Sequence, residues 1–308
     1  MAQTAVARHY QQRAERWPDG IFAFAWRESG RHQPWLCLLA GAIFPLTMVP
    51  LELQRRIIDR AIGNQNLELL LWLGAIYLGT VLLQGGLKYL LRVYRAFVSE
   101  RATLHLRRAA QGQGGQDEHG ETVSIVASEV ERVGGFVGEA FSEPILQGGI
   151  LVAVLGYMLV VEPTIALVSL CFFLPQIVLV PLIQRFINRR ALRKVKLVRE
   201  LGEQIVDSVE RDDYDRTARR VYGVRMSYYR WKYFSKLFTN FMNHLAPLSV
   251  LMVGGYLVIN GGTTVGTIVA FISGFERMAD PSRQLIAYYR LASESQVQYR
   301  LISERLAR

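Results

Sequence analysis

The chain has few of the residues that staple or catalyse. Two cysteines in 308 residues, Cys37 and Cys171, exclude a disulfide-stabilised secreted scaffold, and their separation gives no metal-ligand spacing. Both lie in apolar runs, which predicts two inert, buried thiols. The five histidines, His9, His32, His105, His119 and His244, are scattered. Only His244 falls in an apolar run, where a hydrogen bond between helices is expected. No nucleophile–base pair or paired carboxylates call for a hydrolytic reading. No Gly-x-x-x-x-Gly-Lys-[Ser/Thr] occurs, so no loop of that kind cradles phosphates. Charge is scarce at 20% and unbalanced, with 36 Lys+Arg against 26 Asp+Glu, for a net charge of +10.

What is abundant is apolar sequence, 51% of the chain, and it is gathered into blocks. Six stand out: Pro34 to Leu51, Leu67 to Leu91, Pro144 to Val161, Pro163 to Ile183, Phe241 to Ile259, and a sixth from Thr263 that continues through charged residues to Tyr289. Blocks of roughly 18 residues or more match a hydrocarbon core about 30 Å thick. Lipid satisfies no loose backbone groups, so each block is a helix or part of a closed barrel. Barrel strands alternate apolar and polar residues, whereas these runs are continuous, so helices are predicted. The fold class is an all-α membrane protein with six transmembrane helices over residues 34–308. The spans lie at about 34–58, 67–108, 133–161, 163–200, 215–259 and 263–292. Residues 1–33 carry Arg8, Arg13, Arg16, Arg27 and Arg31 without an apolar core, and so do not read as a cleavable signal. They read as a cytoplasmic segment, and Ile21 to Ser29 has the composition of a short interfacial helix.

The basic residues set the sidedness. The third and fourth spans are joined by Glu162 alone and the fifth and sixth by Asn260 to Gly262, with no Lys or Arg. The second-to-third connection holds Arg92, Arg95, Arg101, Arg107, Arg108 and Arg132. The fourth-to-fifth runs from Arg185 through Arg193 and Lys194 to Lys236. Positive charge marks the cytoplasmic side, which places both termini and the two long connections inside, in a plasma or bacterial inner membrane. Arg55, Arg56 and Arg60 run against this pattern, either extending the first helix beyond the lipid or facing a watery cavity. The basic residues track the membrane face, so a nucleic-acid partner is not expected.

Several helices exceed a bilayer. From Leu67 to Arg108 there is no proline, and at 1.5 Å per residue such a helix reaches about 60 Å. The fourth runs past Pro175 and Pro181, which should kink it, towards Ser208, and the fifth runs back to Asp215. Charged, amphipathic extensions of this kind suit rods that present loops to a soluble partner, or simply solvated juxtamembrane helices. The glycines of Gln111 to Gly120 interrupt the first connection, after which Val123, Val126, Val130 and Val133 share one helical face. The second tip mixes Tyr214, Tyr222, Tyr228 and Tyr229 with paired charges, residue types common in protein contacts.

Polar residues at membrane depth are costly and usually face protein or water. Glu52, Gln84, Lys88, Glu276, Arg277 and Asp280 form the candidate pathway set. Glu276, Asp280 and Arg283 share one face of the sixth helix, and Glu139 and Glu143 stand four apart at the cytoplasmic end of the third. They read either as the wall of a polar cavity or as intramolecular salt bridges. Gly85, Gly86, Gly148, Gly149, Gly254 and Gly255 are expected to let helices pack closely.

Ile57–Asp59, the segment GETVSIVASEVERV, and Val265 to Leu285 with its Pro281 fall in an order and spacing that resemble the transmembrane domain of an exporter-type ABC transporter. The likeness runs from about Ile21 to Arg305. It differs from the family in a shorter first cytoplasmic connection. The second tip reads VERDDYDRTARRVYG in place of the family's Gly-Ile pattern. The resemblance implies a permease subunit without a fused ATPase domain, paired with a second transmembrane half, identical or not. No cofactor would bind directly, and ATP would be held by an ABC ATPase subunit. Glu121, Val123, Val126, Glu129 and Val130 in the first connection, and Asp212, Asp213, Tyr214 and Arg216 in the second, are the ATPase-coupling candidates. A non-transporting membrane scaffold or regulatory subunit stays open as an alternative. So does an ion-coupled secondary transporter, which would show internal repeats and broken helices.

Overall fold

The computed structural model describes residues 18–111, 120–206 and 211–306, and every regular element among them is a helix. In chain order these are α1 (Ile21–Ser29), α2 (His32–Leu46), α3 (Val49–Arg56), a π-helical segment (Ile57–Ile62), α4 (Leu67–Gln111), α5 (Gly120–Glu139), α6 (Ser142–Val161), α7 (Pro163–Val206), α8 (Arg211–Ile259) and α9 (Val265–Leu306). The chain divides into two compact units. One comprises residues 1–157 with 276–308, the other residues 158–275.

Helix ends follow local chemistry. Asn66 opens α4 by accepting the Leu69 amide hydrogen on its side-chain oxygen at 2.9 Å, and Pro163 sits at the first position of α7, where its missing N–H costs nothing. After α8, Gly261 takes φ 71°, and the Gly262 amide closes back on the Leu257 carbonyl at 2.8 Å. Thr264 then caps α9 through the Thr267 amide.

In the first unit, α4 and α5 run antiparallel at close range, with Arg95 near Gly138, Ser99 bonded to Gly135 and Thr103 beside Gly134. A Cβ on Gly134 would lie 2.1 Å from Thr103 Oγ1, and one on Gly138 would lie 2.4 Å from the Arg95 carbonyl oxygen. These two glycines, four residues apart, let the backbones touch. Helix α1 packs on α5, with Phe22 edge-on to Phe136, Ile21 and Phe24 buried, and the Ile21 amide bonded to Gln296 of α9 at 2.9 Å. Tyr299 donates to the Pro18 carbonyl at 2.9 Å, and burial pushes its phenol up to about 12. Helix α1 thus docks its Ile21–Phe24 side on α5 and α9, while Phe22 and Trp26 stay exposed.

In the second unit, α7 and α8 form the dominant pair. Phe186 stacks on Trp231, the Arg190 guanidinium lies 5.5 Å from the same indole and bonds Ser227, and Lys194 lies over Tyr228. The partner numbers fall as the α7 numbers rise, so the pair is antiparallel. Gly254 lets Ile165 and Ile268 approach α8 closely.

Four helical stretches are long and apolar enough to cross a membrane among the described residues: His32–Ile62, Leu67–Arg108, Ser142–Val161 and Asp212–Ile259. Their outward faces carry Leu71, Trp72, Leu82, Val152 and Met252, all more than half exposed, and Val160 and Ile259 at 86%. Water does not tolerate apolar surface on that scale, whereas lipid covers it without cost. The chain is an integral membrane protein.

Several expectations change. The third span, expected to run unbroken over 133–161, is interrupted by a turn at Ala140 and Phe141, which divides it into α5 and α6. The cysteines are not buried. Cys37 is half-buried and Cys171 exposed, since an apolar residue on a lipid-facing helix need not be covered by protein. His244 is likewise exposed. Of the six glycines expected at helix contacts, Gly149 (against Phe44) and Gly254 make close approaches. Gly85, Gly86, Gly148 and Gly255 have no atom within 4 Å of a built Cβ. Arg55 and Arg56 are explained locally, because the first span continues as a helix through them and both pair with Glu52. The glycine-rich tip at 112–119 lies outside the described residues.

Candidate functional site

The first unit holds an open cavity of about 290 Å³, and three helices each give it one face. From α4 come Gln84, Lys88, Leu91, Arg92 and Arg95, spaced by four, three, one and three residues. From α6 come Glu143, Leu146, Gln147 and Ile150, and from α9 come Arg277, Asp280, Pro281 and Gln284, each set at offsets of three, four and seven. These are the spacings that bring side chains to one side of a helix. Thr47, between α2 and α3, closes the wall.

One side of the cavity is internally satisfied. Arg95 pairs with Glu143 across the α4–α6 contact, and its Nε donates to Ser142 Oγ at 2.7 Å. Gln147 donates to Glu143 at 2.8 Å and also to Gln284 on α9. Arg95, Glu143 and Gln147 are each 9% exposed or less, so this is a buried network in which every bond matters. Asp280 is engaged by Arg283 on its own helix. The other side is not satisfied. Among the described residues, no carboxylate lies within ion-pair distance of Lys88, Arg92 or Arg277. The amide nitrogen of Gln84 and one guanidinium nitrogen of Arg95 are buried without an acceptor.

Of the pathway candidates, Gln84, Lys88, Arg277 and Asp280 come together here. Glu276 is exposed and not part of the wall. Glu52 is also elsewhere, on α3, where it accepts from Arg55, Arg56 and the Tyr157 hydroxyl at 3.1 Å. Thr47, Arg92, Arg95, Gln147 and Gln284 are added by the structure. Counting from Gln84 in helical steps along α4 reaches Lys88, Arg92 and Arg95, which is the signal that would have found the two arginines.

The coupling candidates lie on two helices. Glu121, Val123 and Val126 fall on α5, but their side chains are outside the described residues. Val130 is buried, and Glu129 is half-buried with one carboxylate oxygen unpartnered. Asp212, Asp213, Tyr214 and Arg216 occupy the first turns of α8. There Arg216 pairs with Asp213 at 2.7 Å and its Nε meets the Asp212 carbonyl oxygen. Among the described residues, no group of three His, Cys, Asp or Glu side chains is placed to hold a metal ion.

Residues 115–210, from the first tip through α7, match the ABC transporter transmembrane region. A protein of Bacillus subtilis strain 168, named as a multidrug export ATP-binding/permease protein, YgaD, is 29% identical over 188 residues. That alignment covers 54% of this chain and 31% of the relative. A Staphylococcus aureus protein (strain NCTC 8325) with the same kind of name is 26% identical over 99 residues, 32% of this chain and 16% of its own; its counterpart in strain COL matches equally. The chain thus spans less than a third of the length of the curated relatives it matches. Together with the long apolar helices, these likenesses make the chain similar over residues 115–210 to the ABC transporter transmembrane region, and over part of its length to multidrug export ATP-binding/permease proteins.

Proposed function

We propose that the chain is the permease part of an ATP-driven ABC exporter, crossing the membrane six times with both termini cytoplasmic. It would pair with a second transmembrane half around a central pathway. ATP would be bound and hydrolysed by an ABC ATPase outside these 308 residues. The observation that carries the reading is the length of the helices. At 45, 44 and 49 residues, α4, α7 and α8 measure about 66–74 Å at 1.5 Å per residue. That is more than twice the hydrocarbon thickness, and in each the apolar part occupies one end and the charged part the other.

Rods of this kind carry force from a soluble engine to the membrane. Closure of the ATPase would draw the α4–α5 and α7–α8 tips together and switch the pathway from inward-facing to outward-facing. The lining residues Gln84, Lys88, Arg277 and Asp280 would then meet the cargo. Glu129, Asp213 and Arg216 would bear on the ATPase, with the buried Val130 holding α5 in place.

The test is co-purification with an ABC ATPase and measurement of cargo-stimulated hydrolysis in vesicles. Scrambling Gly120–Val130, or the double substitution Asp213→Ala and Tyr214→Ala, is expected to abolish stimulation while leaving the chain in the membrane. Transport that continues without any ATPase would overturn the reading in favour of an ion-coupled carrier.

A further inference from the structure

We propose that the cavity in the first unit is a binding site for a phosphate-class oxyanion, with the dianionic headgroup of an amphiphile as the ligand its position suits. The proposal rests on the permease reading only in treating the cavity as part of the pathway.

The two buried wall atoms without a partner, the Gln84 amide nitrogen and one Arg95 guanidinium nitrogen, are both donors. Lys88, Arg92 and Arg277 bring three positive charges with no carboxylate in reach among the described residues, while Arg95 and Asp280 are already paired. The buried nitrogens of Gln84 and Arg95 without acceptors point the same way, and both residues are more than nine-tenths buried. Buried donors without acceptors are costly, and a cluster of them calls for an acceptor-rich partner. A phosphate offers several oxygens and matches guanidinium geometry in two-pronged fashion. At about 290 Å³ the cavity has room for such a group.

Depth favours an amphiphile. Counted from Leu67, Gln84 lies about 26 Å along α4 and Arg95 about 42 Å. The site therefore spans the inner edge of a hydrocarbon layer about 30 Å thick and the adjoining headgroup zone. At the same depth the opposite face of α4 carries exposed Leu83, Leu90, Val93 and Phe97, the apolar surface that lipid would cover.

The experiment is calorimetric titration of the purified full chain in neutral detergent with three probes: dioctanoyl phosphatidic acid, inorganic phosphate and uncharged dioctanoylglycerol. Phosphatidic acid is expected to bind, and dioctanoylglycerol to bind far more weakly. Each of Lys88→Gln, Arg92→Gln and Arg277→Gln should weaken phosphatidic acid roughly five-fold, and the triple variant about a hundred-fold. Lys88→Arg and Arg277→Lys should retain binding, which separates lost charge from lost folding. Inorganic phosphate that binds and responds to the same substitutions identifies a free anion as a ligand. Phosphate that does not bind assigns the site to the headgroup. The control Arg185→Gln, Arg189→Gln, Arg193→Gln removes as much charge from α7 and should leave affinity unchanged.

The proposal is overturned if wild-type chain binds neither anion, if the cavity triple binds as wild type does, if the α7 triple loses as much, or if the uncharged lipid binds equally well. No ATPase is present in this assay, so its failure leaves the permease reading standing. Failure of ATPase coupling would in turn leave the binding result intact.

Discussion

The two antiparallel helix pairs that reach beyond the bilayer are fastened by different chemistry. The α4–α5 pair, with the adjoining start of α6, is held by backbone contact at Gly134 and Gly138 and by the buried Arg95–Glu143–Ser142 network. The α7–α8 pair is held by a ladder of rings and cations, Phe186, Arg190 and Lys194 against Trp231, Ser227 and Tyr228, most of it reachable by water. A buried network tolerates few substitutions, because an abandoned partner keeps the cost of desolvation without its bond. A ladder of ring contacts loses energy a rung at a time. The first pair should therefore fail abruptly and the second gradually.

The largest expected effect is at Gly138. A leucine there would drive its side chain into the Arg95 backbone, so Gly138→Leu should separate α4 from α5 and leave little folded chain in detergent by gel filtration. Gly135, three residues earlier, has open space around a built Cβ, so Gly135→Ala should be neutral or gain up to about 1 kcal/mol. Next is Glu143→Ala, which strands the buried Arg95 guanidinium. A loss of about 3–5 kcal/mol is expected by thermal unfolding, mostly recovered when Arg95→Met is added. Trp231→Ala removes one ring and its cation contact, and should cost about 1–2 kcal/mol. The smallest effect belongs to Arg216→Ala. It breaks an exposed pair with Asp213 and should change stability by less than about 1 kcal/mol. If Glu143→Ala and Trp231→Ala were equally mild, the contrast between a keyed and a graded pair would be lost.

The sequence made the helices legible because lipid permits little else. An uninterrupted run such as Leu67 to Leu91 has one way to satisfy its backbone. The break at Ala140 has its signal in Pro144, which offers no N–H to the Ala140 carbonyl and whose ring crowds it; that carbonyl accepts from the Tyr288 hydroxyl instead. Part of the cavity was visible in advance. Gln84, Lys88, Arg277 and Asp280 are conspicuous as polar residues in or beside apolar stretches. Arg92 and Arg95 were hidden by their neighbours, since in a basic connection every arginine reads as a marker of sidedness and nothing local distinguishes the buried one. Glu52 and Glu276 were equally conspicuous, yet the first is occupied by Arg55, Arg56 and Tyr157 and the second is turned to the surface. Composition identifies residues that need a partner. Which partner they find depends on contacts far apart in sequence, such as Arg95 with Glu143 and Gln147 with Gln284.

The central proposal is that the apolar helices lie in lipid while the charged ends of α4, α7 and α8 each face the cytoplasm. It is tested most directly by cysteine labelling in intact cells. With Cys37 and Cys171 replaced, Gly261→Cys and Arg193→Cys would each be exposed to a membrane-impermeant maleimide. The account predicts that Gly261→Cys reacts from outside and Arg193→Cys only after the cells are opened. Reaction of both from the same side would contradict it.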